Sequence, residues 1–129
     1  MFADLTIESR MLDPKNFAIL NPKATLKEAL DKMTSHKLGI ACLVDEEHRL
    51  VGVLTDGDLR RLLLTRQAPL PALLISPAIE FGHKNPITIR LETNVETAKE
   101  LMHEKEIWDL PVIDSSGHLL GLLHRHSLN

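Results

Sequence analysis

Cysteine is almost missing from this chain of 129 residues: Cys42, inside the apolar run IACLV, is the only one. That excludes an internal disulfide and a zinc site built on several cysteines, and it fits a reducing, cytoplasmic setting. Long apolar runs are missing too. None reaches the roughly 18 residues that suggest a membrane span, and the N-terminal MFADLTIESR carries acids and no apolar core of leader length, so neither export nor membrane embedding is expected. No surplus of one charge stands out. Net charge is -3 with acids and bases interleaved, so no basic face offers itself to a nucleic-acid backbone, and nucleic acid is not an expected partner. With 43% hydrophobic and 26% charged residues, the composition is that of a chain that folds, around a single core at this length.

What is present is a sequence written twice. Gly52 and Gly121 lie 69 positions apart, and the same offset lays Lys15-Asn16 on Lys84-Asn85, Leu26 on Val95, Ala29 on Ala98, Met33 on Met102 and Asp45 on Asp114. It goes on to lay Leu50 on Leu119 and Leu59 on Leu128. Apolar positions keep their places while surface positions drift, as in a tandem repeat. The register divides the chain into a lead segment 1–14, a first repeat 15–68, a linker 69–83 and a second repeat 84–129.

Each repeat opens with a short strand, AIL at 18–20 and ITI at 87–89, followed by a stretch of helical spacing, TLKEALDKM at 25–33 and NVETAKELM at 94–102. Capping-box matches start both helices, Thr25 with Glu28 and Thr93 with Glu96. Two strand-like runs follow, GIACLV and LVGVLT in the first repeat, LPVID and LLGLLH in the second, joined by the polar turns EEHR and SSGH of a hairpin. The first repeat continues into a helix, DLRRLLLTR, with Leu59, Leu62 and Leu63 on one side. The second stops at Asn129, aligned with Arg60, so it lacks this helix and leaves an apolar face without that cover. Prolines 69, 71, 77 and 86 punctuate the linker, whose one apolar piece lies around Leu73 to Ile75 and carries no assigned chemistry.

The stretch GVLTDGDLRR at 52–61 holds the most chemistry. Thr55 and Asp58 stand where a strand ends and a helix begins, and Gly57 between them permits a tight turn or the close approach of a ligand. A helix N-terminus attracts anions, so Thr55 and the amides can hold a phosphate, Asp58 can accept from a ribose diol, and Arg60 and Arg61 can add charge-assisted bonds. The same residues also make an ordinary helix start without any ligand. Thr55 or Asp56 then serves as the N-cap and Asp58 as a first-turn acid, worth on the order of 1 kcal/mol. Asp56 and Asp58 lack a neighbouring nucleophile or histidine in triad-like order, so catalysis by this chain is not expected.

LVGVLTDGDLRR and LPVIDSSGHLLGLL at equivalent places resemble a pair of CBS domains, the Bateman module, from Phe17 to Leu128. The resemblance implies an α/β fold of two strand-helix-strand-strand-helix repeats about a pseudo-twofold axis, homodimers or larger homo-oligomers, and an adenosyl nucleotide such as AMP or ATP as ligand. It also puts Asp56, Gly39 and Ile40 in the nucleotide site with Thr55, Gly57, Asp58, Arg60 and Arg61. More narrowly, LGIACLVDEEHRLVGVLTDGDLRR with GLLHRHSL resembles the C-terminal CBS pair of D-arabinose 5-phosphate isomerases, which follows a sugar-isomerase (SIS) catalytic domain. That resemblance implies a regulatory fragment of lipopolysaccharide biosynthesis and CMP-Kdo as a further candidate ligand. A CBS pair of a sugar-phosphate nucleotidyltransferase and a purely structural, oligomer-forming module are the alternatives.

In the second repeat His124 stands for Thr55 and Ser127 for Asp58, which predicts one competent site and one degenerate site. The pair His124 and His126 on a strand end is too small a ligand set for a metal without a third group, so exposed histidines, or histidines in contact with a ligand at a second site or at an interface, are the expected reading. The other histidines, His83 among them, read as solvated. Trp108, in place of Gly39, is either a core residue or a pocket or interface residue.

Overall fold

The computed structural model describes residues 6–128; the first five residues of the lead segment, and Asn129 with its alignment to Arg60, lie outside them. The chain divides into two compact units, one of residues 17–86 and one that joins residues up to Asn16 to those from Ile87 onward. Each unit has its own apolar core, where composition alone suggested one.

In the first unit β1 (Ala18–Leu20), α2 (Leu26–His36), β2 (Ile40–Val44), β3 (Leu50–Thr55), α3 (Asp56–Thr65) and α4 (Leu70–Leu74) follow in order, and α1 (Ile7–Arg10) precedes them in the chain as part of the other unit. The second unit adds β4 (Ile89–Arg90), α5 (Val95–Lys105), β5 (Asp109–Ile113) and β6 (Leu119–His124). Each sheet has three strands, ordered β1-β2-β3 and β4-β5-β6, with a parallel first pair and an antiparallel hairpin. The 69-residue offset holds to the single residue. Ile40 faces Thr55 as Asp109 faces His124, and the ladder slips between Leu43 and Val44 as between Val112 and Ile113.

The hairpin turns repeat as well. Asp45 accepts from the amides of Glu47 and Arg49, and Asp114 from those of Ser116 and His118. Above all the His118 amide, and then the His118 ring and the Ser116 amide, hold the Asp114 carboxyl below the usual carboxylate range.

Thr25 and Glu28 form the capping box that the sequence predicts. Thr93 and Glu96 do not. Asn94 is the cap and accepts from the Thr97 amide, because the second helix starts one residue later, at the position that the repeat aligns with Thr25. Both helices end on a left-handed residue, Lys37 at φ 57° and Glu106 at φ 55°. The next amides, of Leu38 and Ile107, bond back to Met33 and Met102. Glycine is the residue that occupies this position without strain. Lys37→Gly and Glu106→Gly should each stabilise the protein by about 1 kcal/mol, and a thermal melt should show a rise of about 4 °C for each.

Leu62 is buried, but Leu63 is 65% exposed and does not share its face. The buried side of α3 is centred on Asp58 and Leu62, four residues apart, and Leu63 lies about 100° around the helix from Leu62. In the second unit the segment aligned with α3 is one 3₁₀ turn, Arg125–Leu128. Its core is not left open: Ile7 of α1, fully buried, packs in the cluster of Val95, Ala98, Met102, Leu110 and Leu128. The lead segment is therefore part of the second unit's core, which the repeat alignment does not reveal. The expected strand at 87–89 is shorter and later, Ile89–Arg90.

The segment after α4 is likewise a working part of the first unit. Leu26 donates to Ser76, Ala78 donates to Ala24, and Val53 and His83 exchange both backbone bonds at 2.9 and 2.8 Å, so the segment lies along the free edge of β3. The Arg66 guanidinium sits 5.5 Å over the Phe81 ring.

Candidate functional site

Thr55 ends β3 and caps α3. Its hydroxyl accepts from the Asp58 amide at 3.3 Å and donates to Asp58 Oδ2 at 3.1 Å, and its amide donates to the same oxygen at 2.9 Å. This is a capping box with aspartate at its third helical position. The helix start read from the sequence is there, with Thr55 rather than Asp56 as the cap. The other carboxylate oxygen, Oδ1, accepts from the Arg61 guanidinium and lies 2.8 Å from His83 Nε2. The Asp58 side chain is 3% exposed, whereas those of Arg61 and His83 are each 59% exposed. A buried carboxylate is stable only when its oxygens are hydrogen-bonded, and the bonds from the Thr55 amide, the Thr55 hydroxyl and Arg61, with the His83 contact beside them, are all supplied within the first unit.

His83 is the neighbour of Asp58 that sequence reasoning passed over. It lies 25 residues beyond Asp58, and its role depends on the connector's pairing with β3, which has no local signature. Gly82 makes that pairing possible: a Cβ there would lie 2.2 Å from the Val53 carbonyl oxygen. Gly57 has the opposite status. Its φ is not in the left-handed region, and a Cβ would meet Arg61 at an ordinary 3.5 Å, so the expected tight turn at Gly57 is not formed. Arg60 is exposed and takes no part in the cluster.

Gly39 and Asp56 meet on the other side of the junction. The Asp56 amide bonds to the Gly39 carbonyl at 3.0 Å, and Asp56 Oδ2 lies so near that a Cβ at 39 would approach it to 2.5 Å. The Ile40 side chain is buried in the unit, at 2% exposed. A concavity of about 370 Å³ opens between Gly39, Asp56 and the last turns of α2, and it does not include Thr55 or Asp58.

In the second unit Trp108 replaces Gly39 and Arg125 replaces Asp56. The backbone bond is kept, Arg125 amide to Trp108 carbonyl at 2.7 Å, and the Arg125 guanidinium lies 4.6 Å over the indole. Trp108 is 52% exposed, so it is not a core residue. With Lys99 and Met102 it lines a concavity of about 520 Å³ at the place equivalent to the first. His124 Nδ1 is 2.6 Å from Asp109 Oδ1, and the His126 ring lies 5.1 Å from that of His124 and 5.9 Å from Trp108. Ser127 offers its backbone carbonyl to Arg10. The second junction thus holds an Asp109–His124 pair where the first holds a capping box. Among the described residues no group of three or more His, Cys, Asp or Glu side chains gathers to hold a metal ion, and no helix is long and apolar enough to cross a membrane.

Comparison with known proteins places these two junctions in a family. The chain is 34% identical over 100 residues to arabinose 5-phosphate isomerase GutQ of Salmonella typhi, covering 78% of the chain and 30% of GutQ. It is 34% identical over 109 residues to the inosine-5'-monophosphate dehydrogenase of Aquifex aeolicus, covering 84% of the chain and 21% of that enzyme. The chain therefore spans under a third of the length of either. Among solved structures, CBSX2 in complex with AMP superposes with a TM-score of 0.83 at 27% identity, over 96% of this chain and 92% of that one. The family model for the CBS domain matches residues 12–65 and again residues 78–128, and the chain belongs to the CBS domain family, carrying that domain as a pair.

Proposed function

We propose that this CBS pair is a regulatory, non-catalytic module that binds one nucleotide or nucleotide-sugar at Thr55 and Asp58 and modulates an attached sugar-phosphate isomerase domain of the SIS type. The observation that carries the reading is the buried Asp58 carboxylate at a helix start, with Oδ1 facing the side chains of Arg61 and His83, which are themselves largely exposed. An acceptor held in that way can exchange its partners for the hydroxyls of a ribose. AMP bound to CBSX2 supports an adenosyl nucleotide, and the likeness to GutQ supports the isomerase partner and, with it, CMP-Kdo as the alternative ligand. Asp56, Gly57, Arg60, Gly39 and Ile40 flank the site in this reading. The second junction, with Ser127 in place of the acid, does not grip a diol.

Calorimetric titration of AMP, ATP and CMP-Kdo into wild type, Asp58→Ala and Asp58→Asn tests it. One ligand per chain is expected, with affinity at least about ten-fold lower in Asp58→Asn, the loss of a charge-assisted bond. Equal heats from all three proteins would sink the reading.

A second reading is favoured by one observation. Leu63, Leu64, Leu70 and Ile75 of the first unit are 65%, 79%, 54% and 75% exposed. Such apolar exposure suits a module that fixes the oligomeric state of the parent enzyme. Light scattering and melting with and without nucleotide separate the two: a homo-oligomer whose mass and melting temperature ignore every candidate ligand supports the structural role.

A further inference from the structure

The two oxygens of Asp58 are held by different kinds of partner. Oδ2 is bound by the Thr55 amide and hydroxyl, which belong to the cap of α3 and cannot leave without unwinding it. Oδ1 accepts from Arg61, of the same helix, and lies against the His83 Nε2 atom, brought from the connector to 2.8 Å. Backbone pairing to Val53 fixes where His83 stands, while its imidazole remains 59% exposed and free to swing away.

The second unit supplies the contrast. The residue that pairs with β6 as His83 pairs with β3 is Leu12, whose backbone exchanges both bonds with Leu122. Leucine cannot bond a carboxylate, and at the place of Asp58 stands Ser127, with no carboxylate to bond. At these two aligned places, acid and imidazole occur together in the first unit, and neither occurs in the second, whose Asp109–His124 pair stands elsewhere in the junction.

We infer that His83 is a built-in competitor for the ligand: its imidazole closes the Asp58 carboxylate in the empty site, and a nucleotide's hydroxyls bind by displacing it. The inference rests on the site assigned under Proposed function and adds its regulation. Occupancy then becomes a signal to the connector, because the side chain that the ligand expels belongs to the segment lying along β3. Affinity is also set partly by a residue that need not touch the ligand. The polar groups at the contact are Asp58 and Arg61 from α3 and the His83 imidazole from the connector.

The test combines calorimetry of AMP with nitrogen-15 spectroscopy of the histidine rings in the full chain. His83→Ala should bind AMP about five-fold more tightly than wild type, the worth of one exposed polar contact to a carboxylate. His83→Gln, which keeps a neutral donor, should fall between them. Without ligand the His83 Nε2 signal should move in Asp58→Asn, and in wild type AMP should move it the same way. An affinity unchanged or weakened in His83→Ala, while Asp58→Asn still loses binding, overturns the competitor and leaves the site standing. An Nε2 signal indifferent to Asp58→Asn also overturns it. Failure of AMP to bind either wild type or His83→Ala removes the AMP site itself and the competitor with it.

Discussion

Alanine at position 82 should lower the melting temperature by about 10 °C, the equivalent of 2–3 kcal/mol in a chain of this size. The added Cβ would sit 2.2 Å from the Val53 carbonyl oxygen and 3.3 Å from the Leu54 Cα. Backbone atoms of a strand hydrogen-bonded to β2 cannot yield that much, so the connector must leave the edge of β3. Two backbone hydrogen bonds between Val53 and His83 go with it, each worth about 1 kcal/mol net. The remaining loss is local packing, including the Arg66–Phe81 contact next in the chain. Amide exchange should accelerate at Val53 and His83 far more than within β2. A melting temperature within a degree or two of wild type would show that the connector's pairing carries no weight. Because the same change withdraws His83 from Asp58, Gly82→Ala should also copy the tighter AMP binding of His83→Ala.

Asp58→Ala should cost about 2–4 kcal/mol even without any ligand. The Thr55 amide and hydroxyl both lose their acceptor, which removes half of the capping box. Arg61 and His83 are left without the carboxylate that both of them face. Asp58→Asn keeps the shape and one acceptor oxygen, so urea denaturation should place it between wild type and the alanine variant. If the alanine and asparagine variants unfold together at the wild-type midpoint, Asp58 has no structural part, and the capping geometry does not describe the protein in solution. The stability loss and the binding loss are separable, since ligand affinity is measured on the folded fraction of Asp58→Asn.

The repeat made most of the architecture readable. A 69-residue offset that carries glycine on glycine and methionine on methionine fixes where strands and helices recur, and the paired registers follow it residue by residue. The helix start at Thr55 or Asp56 was readable because cap signals are local, whereas the sequence did not show that Asp58 closes a capping box there. What escaped reading is what the chain brings together from afar. His83 reaches Asp58, and Ile7 enters the core of Val95 and Met102, through edge pairings that no local pattern marks. The prolines marked residues 69–83 as a linker, and the repeat register left residues 1–14 outside both repeats as a lead segment. Leu63 escaped for a simpler reason, since three leucines in five residues do not say which of them the core will face.

The placement of Leu12 on β6 and of His83 on β3 bears on how the protein is made. The first unit is one unbroken stretch, residues 17–86, and all its pairing partners have left the ribosome once that stretch has emerged. The second unit joins α1 to strands more than eighty residues further along. Its loop closure is entropically costly, and contacts so distant in sequence form late. Synthesis therefore imposes an order: the unit with the Asp58 site folds while the buried Ile7 side chain still waits, uncovered, for the helix and strands it will pack against.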